Sequence, residues 1–186
     1  MGDLYLSLLH HPVHDKNGAV VTTAVTNLDV HDIARLARTF GVRGYYVCTT
    51  IETLHRLVRR IINHWEAGPG AAYNATRREA LALVRLVTDL EAAVADIERE
   101  TGRLPRVVST SARTAPGSLS FEALRARVAG DPQPILLVFG TGWGLTAEVL
   151  ARCDDRLEPV LGTGDYNHLS VRSAAAIILD RVGASR

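Results

Sequence analysis

The stretch PILLVFGTGWGL, residues 134–145, decides the fold class of this chain. The residues from Ile135 to Phe139 are all apolar, which is typical of a strand buried on both faces of a parallel sheet. Gly140, Gly142 and Gly144 then alternate with other residues before a short predicted helix. A buried strand that leads through a glycine loop into a helix indicates one βα unit of an α/β protein.

Strands and helices alternate along the rest of the chain. Predicted strands lie at 4–9, 19–25, 45–48, 106–110 and 157–161. Helices are predicted from Asn27 or Asp29 to Phe40, over 51–65, over about 25 residues from Thr76 to Gly102, over 121–128, and from Ser170 to Val182. This alternation predicts one α/β domain over residues 1–186, with a mostly parallel sheet and flanking helices. Ligands of such sheets bind beyond the carboxyl ends of strands, here in the loops after Cys48, Thr110, Phe139 and Leu161.

The composition excludes several classes of protein. Of the 186 residues, 47% are hydrophobic, a share too high for a disordered chain. Cys48 and Cys153 stand far apart, which excludes a disulfide scaffold and fits a reduced, cytoplasmic protein. The first residues lack the features of a signal peptide, and no apolar run approaches the ~20 residues of a membrane helix, so no membrane is expected. The net charge of +1 leaves nucleic acid open as a partner without supporting it.

The glycine loop at 140–144 has two interpretations. It is either a tight turn between strand and helix, or a place where the backbone approaches a ligand closely. A dinucleotide-binding fingerprint requires GxGxxG in the first βα unit, whereas this chain has GxGxG near its end. A phosphate loop of the GK[ST] type is disfavoured as well, because the only lysine, Lys16, lies elsewhere.

A second loop, LGTGDYNHLS at 161–170, is rich in polar groups. Ser170 is expected to cap the following helix, which explains part of this polarity. Asp165, Tyr166, Asn167 and His168 exceed what capping requires, and they can bond a ligand or transfer a proton. His168 is as compatible with an ordinary loop histidine as with a catalytic one.

The segment TNLDVHDIARLARTFGV, residues 26–42, combines acids at a helix start with two arginines. Asp29 and Asp32 complement the positive end of the helix dipole, which is an ordinary structural role. Arg35 and Arg38 stand three residues apart and are neighbours on the helix surface. A solvated surface explains Arg38 as well as a function does, whereas Arg35 lies between two inward positions and is the better candidate.

Two further clusters are not interpreted as sites. His10, His11 and His14 lack another ligand in register, so no metal is expected. The arginines at 56, 59, 60, 77, 78 and 85 are mixed with acids on predicted amphipathic helices, and a solvated face is the favoured explanation for them.

Four stretches together resemble the SPOUT class of S-adenosylmethionine-dependent RNA methyltransferases. The resemblance is to a small bacterial family related to the C-terminal part of some tRNA (guanine-N1) methyltransferases, and it covers nearly the whole chain. The stretches that carry it are TNLDVHDIARLARTFGV (26–42), HWEAGPGAAYNATRREAL (64–81), FGTGWGL (139–145) and YNHLSVRSAAAIILDR (166–181).

This resemblance implies a parallel sheet whose C-terminal segment is threaded through a loop as a trefoil knot. The class binds S-adenosylmethionine inside the knot, mostly through backbone groups of three loops, and releases S-adenosylhomocysteine. Leu145, Leu161 and Leu169 are then expected to line an apolar slot for the adenine. Carried onto this chain, the cofactor residues are Thr110, Ser111, Phe139, Gly140, Thr141, Gly142, Gly144, Leu145, Leu161, Gly162, Tyr166, Asn167, His168, Leu169 and Ser170.

The resemblance also implies a homodimer whose RNA site lies across the interface. In the ribose-methylating branch, a helix-borne arginine precedes a glycine by six residues, as Arg35 precedes Gly41. Arg35 is therefore expected to orient the acceptor or hold its phosphate, with Asn27 and Arg38 contacting the substrate. Asp165 or His168 is the candidate base.

The predicted function is methyl transfer from S-adenosylmethionine to tRNA or rRNA. The alternative is a non-catalytic module of the same fold that holds the cofactor or RNA, which the short length and near-zero net charge favour slightly.

Overall fold

The computed structural model describes residues 2–183. Within this range the chain forms a six-stranded sheet in which every pair of neighbouring strands is parallel. Its strands are β1 (Leu4–Leu9), β4 (Gly44–Cys48), β5 (Val84–Val87), β6 (Arg106–Ser109), β7 (Ile135–Gly140) and β8 (Asp155–Arg156), in the order β5-β4-β1-β7-β6-β8. The short strands β2 (Val13–His14) and β3 (Val20–Val21) form a separate antiparallel hairpin.

Helices cover both faces of the sheet. They are α1 (Asn27–Thr39), α2 (Glu52–Glu66), α3 (Pro69–Tyr73), α4 (Ala75–Leu81), α5 (Leu90–Thr101), α6 (Phe121–Gly130), α7 (Ala147–Ala151) and α8 (Val171–Gly183). None of the helices within residues 2–183 is long and apolar enough to cross a membrane.

The central strands are buried because both sides of the sheet carry apolar helices. Alternate side chains of β1 point to opposite faces, so Leu6 and Leu8 join one hydrophobic cluster while Tyr5 and Leu9 join the other. The first cluster includes residues of α1, α6 and α8, and the second includes residues of α5 and α7. The apolar run that predicted a doubly covered strand is β7, and this prediction is confirmed.

The long helix predicted from Thr76 to Gly102 is wrong. The chain instead forms α4, β5 and α5 in succession, because VRLV at 84–87 joins the sheet beside β4 and Asp89 starts a new helix by accepting a hydrogen bond from the Ala92 N–H. The cap of α4 is Asn74 rather than Thr76, whose hydroxyl donates to the Asn74 amide oxygen. Gly102 does end α5, with a positive φ of 72°.

Other boundaries also differ from the prediction. The strand expected over 19–25 is only β3, and the strand expected over 157–161 does not form: Leu157 makes an isolated bridge, and β8 lies just before it at Asp155–Arg156. Helix α1 is capped by Thr26, whose side chain accepts from the Asp29 N–H, instead of by Asn27 or Asp29.

The segment 157–170 returns from the edge of the sheet along the loop 110–120. Leu157 forms a parallel bridge with Leu119, and the Asn167 side chain donates to the Ala112 carbonyl. Helix α8 then packs against α6 and α1. This course brings the two segments of the expected knot into contact, and the threading itself stays a prediction.

Candidate functional site

Three loops follow three neighbouring strands at one edge of the sheet. They are the loop 141–146 after β7, the loop 110–120 after β6 and the segment 157–170 after β8. Because the carboxyl ends of parallel strands meet at the same edge, the sheet brings together the loops that the sequence singled out.

Polar contacts connect the second and third of these loops. The Asn167 amide donates to the carbonyl of Ala112 at 2.8 Å. Arg156 donates to the Ser111 hydroxyl at 3.0 Å. The Thr110 hydroxyl donates to the Val138 carbonyl at the end of β7, also at 3.0 Å. Part of the polarity at Thr110, Ser111 and Asn167 thus holds the loops in place.

The glycine loop 140–144 is held by the β2–β3 hairpin. The Trp143 N–H donates to the His14 carbonyl, and the His14 N–H donates to the Gly144 carbonyl, both at 2.9 Å. Gly142 has a φ of 59°, and a Cβ there would lie 2.7 Å from the His14 carbonyl oxygen. Gly142 is therefore required by the protein's own packing, a reason that the sequence did not reveal.

Thr141 fixes the start of the same loop. Its hydroxyl donates to the Leu9 carbonyl at 3.0 Å and is hydrogen-bonded to the hydroxyl of Thr23. One side chain thus joins the end of β7 to the end of β1 and to the segment that follows the hairpin.

The glycines of the third loop are different. Gly162 and Gly164 have no positive φ, and a Cβ would meet only the Tyr166 carbonyl at 3.8 Å in the first case and nothing within 4 Å in the second. Neither backbone conformation nor packing within the described chain requires glycine here. Glycine at such positions leaves the backbone open to a closely approaching ligand.

Exposed apolar side chains occur on the same segment and on the loop after β7. Leu161, Tyr166 and Leu169 are 62%, 80% and 46% exposed, and Trp143 is 60% exposed. Asp165 and His168 are exposed on the same segment, where the Tyr166 and His168 rings meet edge to face with centroids 5.5 Å apart. Phe139 and Leu145, by contrast, are buried in the two core clusters.

The residues expected to contact substrate lie on α1. Asn27 and Arg35 line a groove of about 560 Å³ between α1 and the helices α2 and α4. Arg35 is 60% exposed, and its one ion pair within residues 2–183 is a long one, 4.0 Å, with Asp32. Arg38 is paired with Glu79 through Nη2–Oε2 and Nε–Oε2 distances of 3.0 and 3.3 Å, so its charge is largely engaged within the protein.

Arg172, for which no motif in the sequence indicates a role, connects α1 with the first turn of α8, directly after the third loop. Its Nη1 lies 2.8 Å from Oδ1 of Asp29, and its Nε lies 3.4 Å from Oδ2 of Asp32. Arg172 follows Ser170 by two residues, and the Ser170 hydroxyl accepts from the Ser173 N–H as the expected cap of α8. No pattern in the sequence indicates this pairing, because Asp29 and Arg172 are 143 positions apart.

The three N-terminal histidines bond separately around the hairpin. His10 contacts the Thr23 hydroxyl at 3.1 Å, His11 contacts the Thr22 hydroxyl at 2.9 Å, and His14 Nδ1 lies 3.0 Å from the Gly18 carbonyl. Burial lowers the pKa of His10 to about 4, so its imidazole is neutral at pH 7. Within residues 2–183 no three metal-ligating side chains converge.

Relatives of known sequence share this whole region. The tRNA (guanine-N(1)-)-methyltransferase of Oleidesulfovibrio alaskensis is 49% identical over 180 residues, which make up 97% of this chain and 42% of that protein. The chain thus spans less than half the length of that relative. An uncharacterized protein of Aquifex aeolicus is 42% identical over 180 residues, covering 97% of this chain and 88% of the relative.

Solved structures share the fold. The SpoU methyltransferase AviRb from Streptomyces viridochromogenes, in complex with the cofactor AdoMet, superposes with a TM-score of 0.55 at 17% identity, over 97% of this chain and 56% of that one. This likeness confirms the predicted α/β architecture. A family model described as SAM-dependent RNA methyltransferase matches residues 3–184. The chain therefore belongs to the SAM-dependent RNA methyltransferase family.

Proposed function

We propose that this chain transfers the methyl group of S-adenosylmethionine to an RNA, with tRNA as the substrate class. The observation that carries the proposal is the open backbone at Gly162 and Gly164, which lies on one of three loops gathered at the same edge of the sheet. The family supports the reaction type, and the name of the Oleidesulfovibrio relative supports tRNA. With RNA as substrate, we place the activity in the cytoplasm.

The residues of the loops fit the methyl donor. The exposed side chains of Leu161 and Leu169 offer apolar surface to an adenine, and the glycines beside them admit main-chain hydrogen bonds. The backbone groups that would hold the donor belong to Thr110, Ser111, Phe139, Gly140, Thr141, Gly142, Gly144, Leu145, Leu161, Gly162, Tyr166, Asn167, His168, Leu169 and Ser170. We further propose that 157–170 is threaded through the loop 110–120, which would fix the distance between these groups.

The methyl donor supplies an electrophilic carbon on a sulfonium leaving group. The chain then has to position the acceptor in line and to remove its proton. Arg35 is suited to the first task because it is exposed and only weakly paired. Asp165 and His168 are the candidates for the second, since both are exposed on the segment 157–170, which we call the donor loop.

We infer that the active form is a homodimer. Trp143, Leu161, Tyr166 and Leu169 are large, exposed apolar side chains on two of the three loops at the same edge of the sheet, and a second copy would cover them. Sedimentation equilibrium should then give twice the 20.2 kDa of one chain. A monomer at micromolar concentration contradicts this part of the proposal.

Transfer of a labelled methyl group to bulk tRNA and bulk rRNA tests the activity. We expect label in tRNA, and we expect Arg35→Ala to lower kcat at least tenfold while calorimetry finds the affinity for S-adenosylmethionine unchanged. Arg43→Ala is the control, because Arg43 is equally exposed and pairs with Asp3 away from the groove. Tight cofactor binding without transfer to either RNA would instead identify the non-catalytic module.

A further inference from the structure

The groove beside Arg35 carries positive charge that the protein does not neutralise. Arg60 and Arg77 also line it, and within residues 2–183 no carboxylate lies within 4.0 Å of either guanidinium. Asp32, the acid among the lining residues, is already paired with Arg172 and Arg35. In a chain whose net charge is only +1, this groove is therefore a local site for an anion.

Aromatic surface lies next to these arginines. The Arg77 guanidinium stands over the Trp65 ring at 4.8 Å from its centroid. The rings of His31 and His64 meet the same indole edge to face, at 5.9 and 5.0 Å. Among residues 2–183, Arg77 Nε is buried and has no hydrogen-bond partner. Unpaired nucleobases stack on such aromatic and guanidinium planes.

The groove is connected to the proposed catalytic site. Arg35 belongs both to it and to a smaller adjoining groove of about 210 Å³ that includes Arg38 and Arg77. Asp32 links the groove to Arg172, two residues beyond Ser170 of the donor loop. A ligand bound along α1 would thus lie against the same helix that carries the proposed acceptor arginine.

We propose that this groove binds an unpaired nucleotide of the RNA substrate, with its base against Trp65 and its phosphate against Arg60 and Arg77. The proposal rests on the proposed function and deepens it by naming a substrate subsite. An acidic peptide would use the arginines but not the indole, which is why the observations favour RNA.

A matched pair of variants tests the phosphate contact. Arg60 and Arg59 are adjacent on α2, but Arg59 pairs with Glu52 at 3.5 Å and does not line the groove. Arg60→Ala and Arg59→Ala change the net charge equally. A difference between them therefore reports a direct contact of Arg60 with phosphate, as opposed to non-specific electrostatic attraction of the RNA. In fluorescence anisotropy with labelled bulk tRNA and no methyl donor, we expect about tenfold weaker binding for Arg60→Ala and less than twofold for Arg59→Ala. Equal losses would overturn the proposal.

The base contact has a readout of its own. The sequence holds two tryptophans, so Trp143→Phe leaves Trp65 as the single indole fluorophore. Guanosine monophosphate should quench this fluorescence, and inorganic phosphate should not. Absence of quenching, or displacement of tRNA by polyglutamate as effectively as by unlabelled RNA, would reject the nucleotide subsite. Neither assay requires methyl transfer, and calorimetry with S-adenosylmethionine tests the proposed function separately.

Discussion

The Arg172 guanidinium lies 2.8 Å from the carboxylate of Asp29, a residue only 6% exposed to solvent. Asp29 also accepts a hydrogen bond from the hydroxyl of Thr26, the cap of α1. One ion pair thus joins the first turn of α1, which leads to the proposed acceptor arginine, to the first turn of α8, which follows the donor loop.

Loss of this pair should destabilise the fold. Arg172→Leu leaves the Asp29 carboxylate buried without its cation, and we expect a loss of about 2 kcal/mol in the free energy of unfolding. Denaturant unfolding of Arg172→Leu, Asp29→Asn and the double variant gives the coupling energy. Arg43→Leu, which removes an exposed pair with Asp3, should cost less than about 0.5 kcal/mol. Equal costs at positions 172 and 43 would show that burial of Asp29 is irrelevant.

Gly142→Ala should destabilise the protein even if no cofactor is present. The added Cβ would lie 2.7 Å from the His14 carbonyl oxygen and would push the hairpin away from the loop. Gly41 has a similar φ, 70° against 59°, but a Cβ there meets nothing within 4 Å. Gly41→Ala should therefore cost only about 1 kcal/mol, the strain of the left-handed conformation, and Gly142→Ala at least twice as much. Thermal unfolding of the two variants measures the difference.

Gly162→Ala and Gly164→Ala should have the opposite effect, with stability unchanged and cofactor affinity reduced. Neither position has a positive φ or a close neighbour, so the fold has room for a methyl group. If the donor approaches the backbone there, calorimetry should show S-adenosylmethionine binding at least about tenfold more weakly, equivalent to about 1.4 kcal/mol. Gly130→Ala, at another open position, serves as the control. Unchanged affinity in both loop variants would place the donor elsewhere.

Acid should destabilise the protein through His10. Burial lowers its pKa to about 4, with the Asp29 charge opposing this shift only in part. The unfolded chain takes up a proton near pH 6.5 and the folded chain only near pH 4, so stability falls as the pH falls between these values. The expected loss between pH 7 and pH 5 is about 2 kcal/mol. Urea unfolding should show this slope in the wild type and a smaller one in His10→Gln, and parallel slopes would contradict the assignment.

The central strands β1 and β7 were predictable because the length and hydrophobicity of their segments favour a buried strand. LYLSLL, which is apolar except for Ser7, and the continuous apolar run ILLVF are too short for a buried helix, and they form β1 and β7. VRLV at 84–87 lies between two segments with helical spacing. Its four residues are too few to interrupt the helical spacing of apolar residues in the sequence. VRLV forms a strand because it pairs with β4. This pairing exists only in the assembled sheet, so the local sequence does not indicate it.

The position of the three loops at one edge of the sheet was predictable from the sequence, and the groove was not. Glycine and polar residues after a buried strand indicate a ligand-binding loop, and this local pattern does not depend on which strands pair with one another. Arg60 and Arg77 belong to different helices, and their mixture with acidic residues in the sequence favours a solvated face for both. Only the packing of α4 beside α2 shows that they line one groove with Trp65.

The pairing of β1 with β7 also determines when this chain can fold during synthesis. The Leu9 carbonyl accepts its hydrogen bond from the hydroxyl of Thr141, which is synthesised 132 residues later. Strand β1 lies between β4 and β7 in the sheet. A ribosome must therefore synthesise the chain through Gly140 before the middle of the sheet is complete, and until then one edge of β1 stays open to misassociation. Nascent chains stalled before residue 135 should accordingly depend on chaperones, whereas release beyond β8 lets the sheet close.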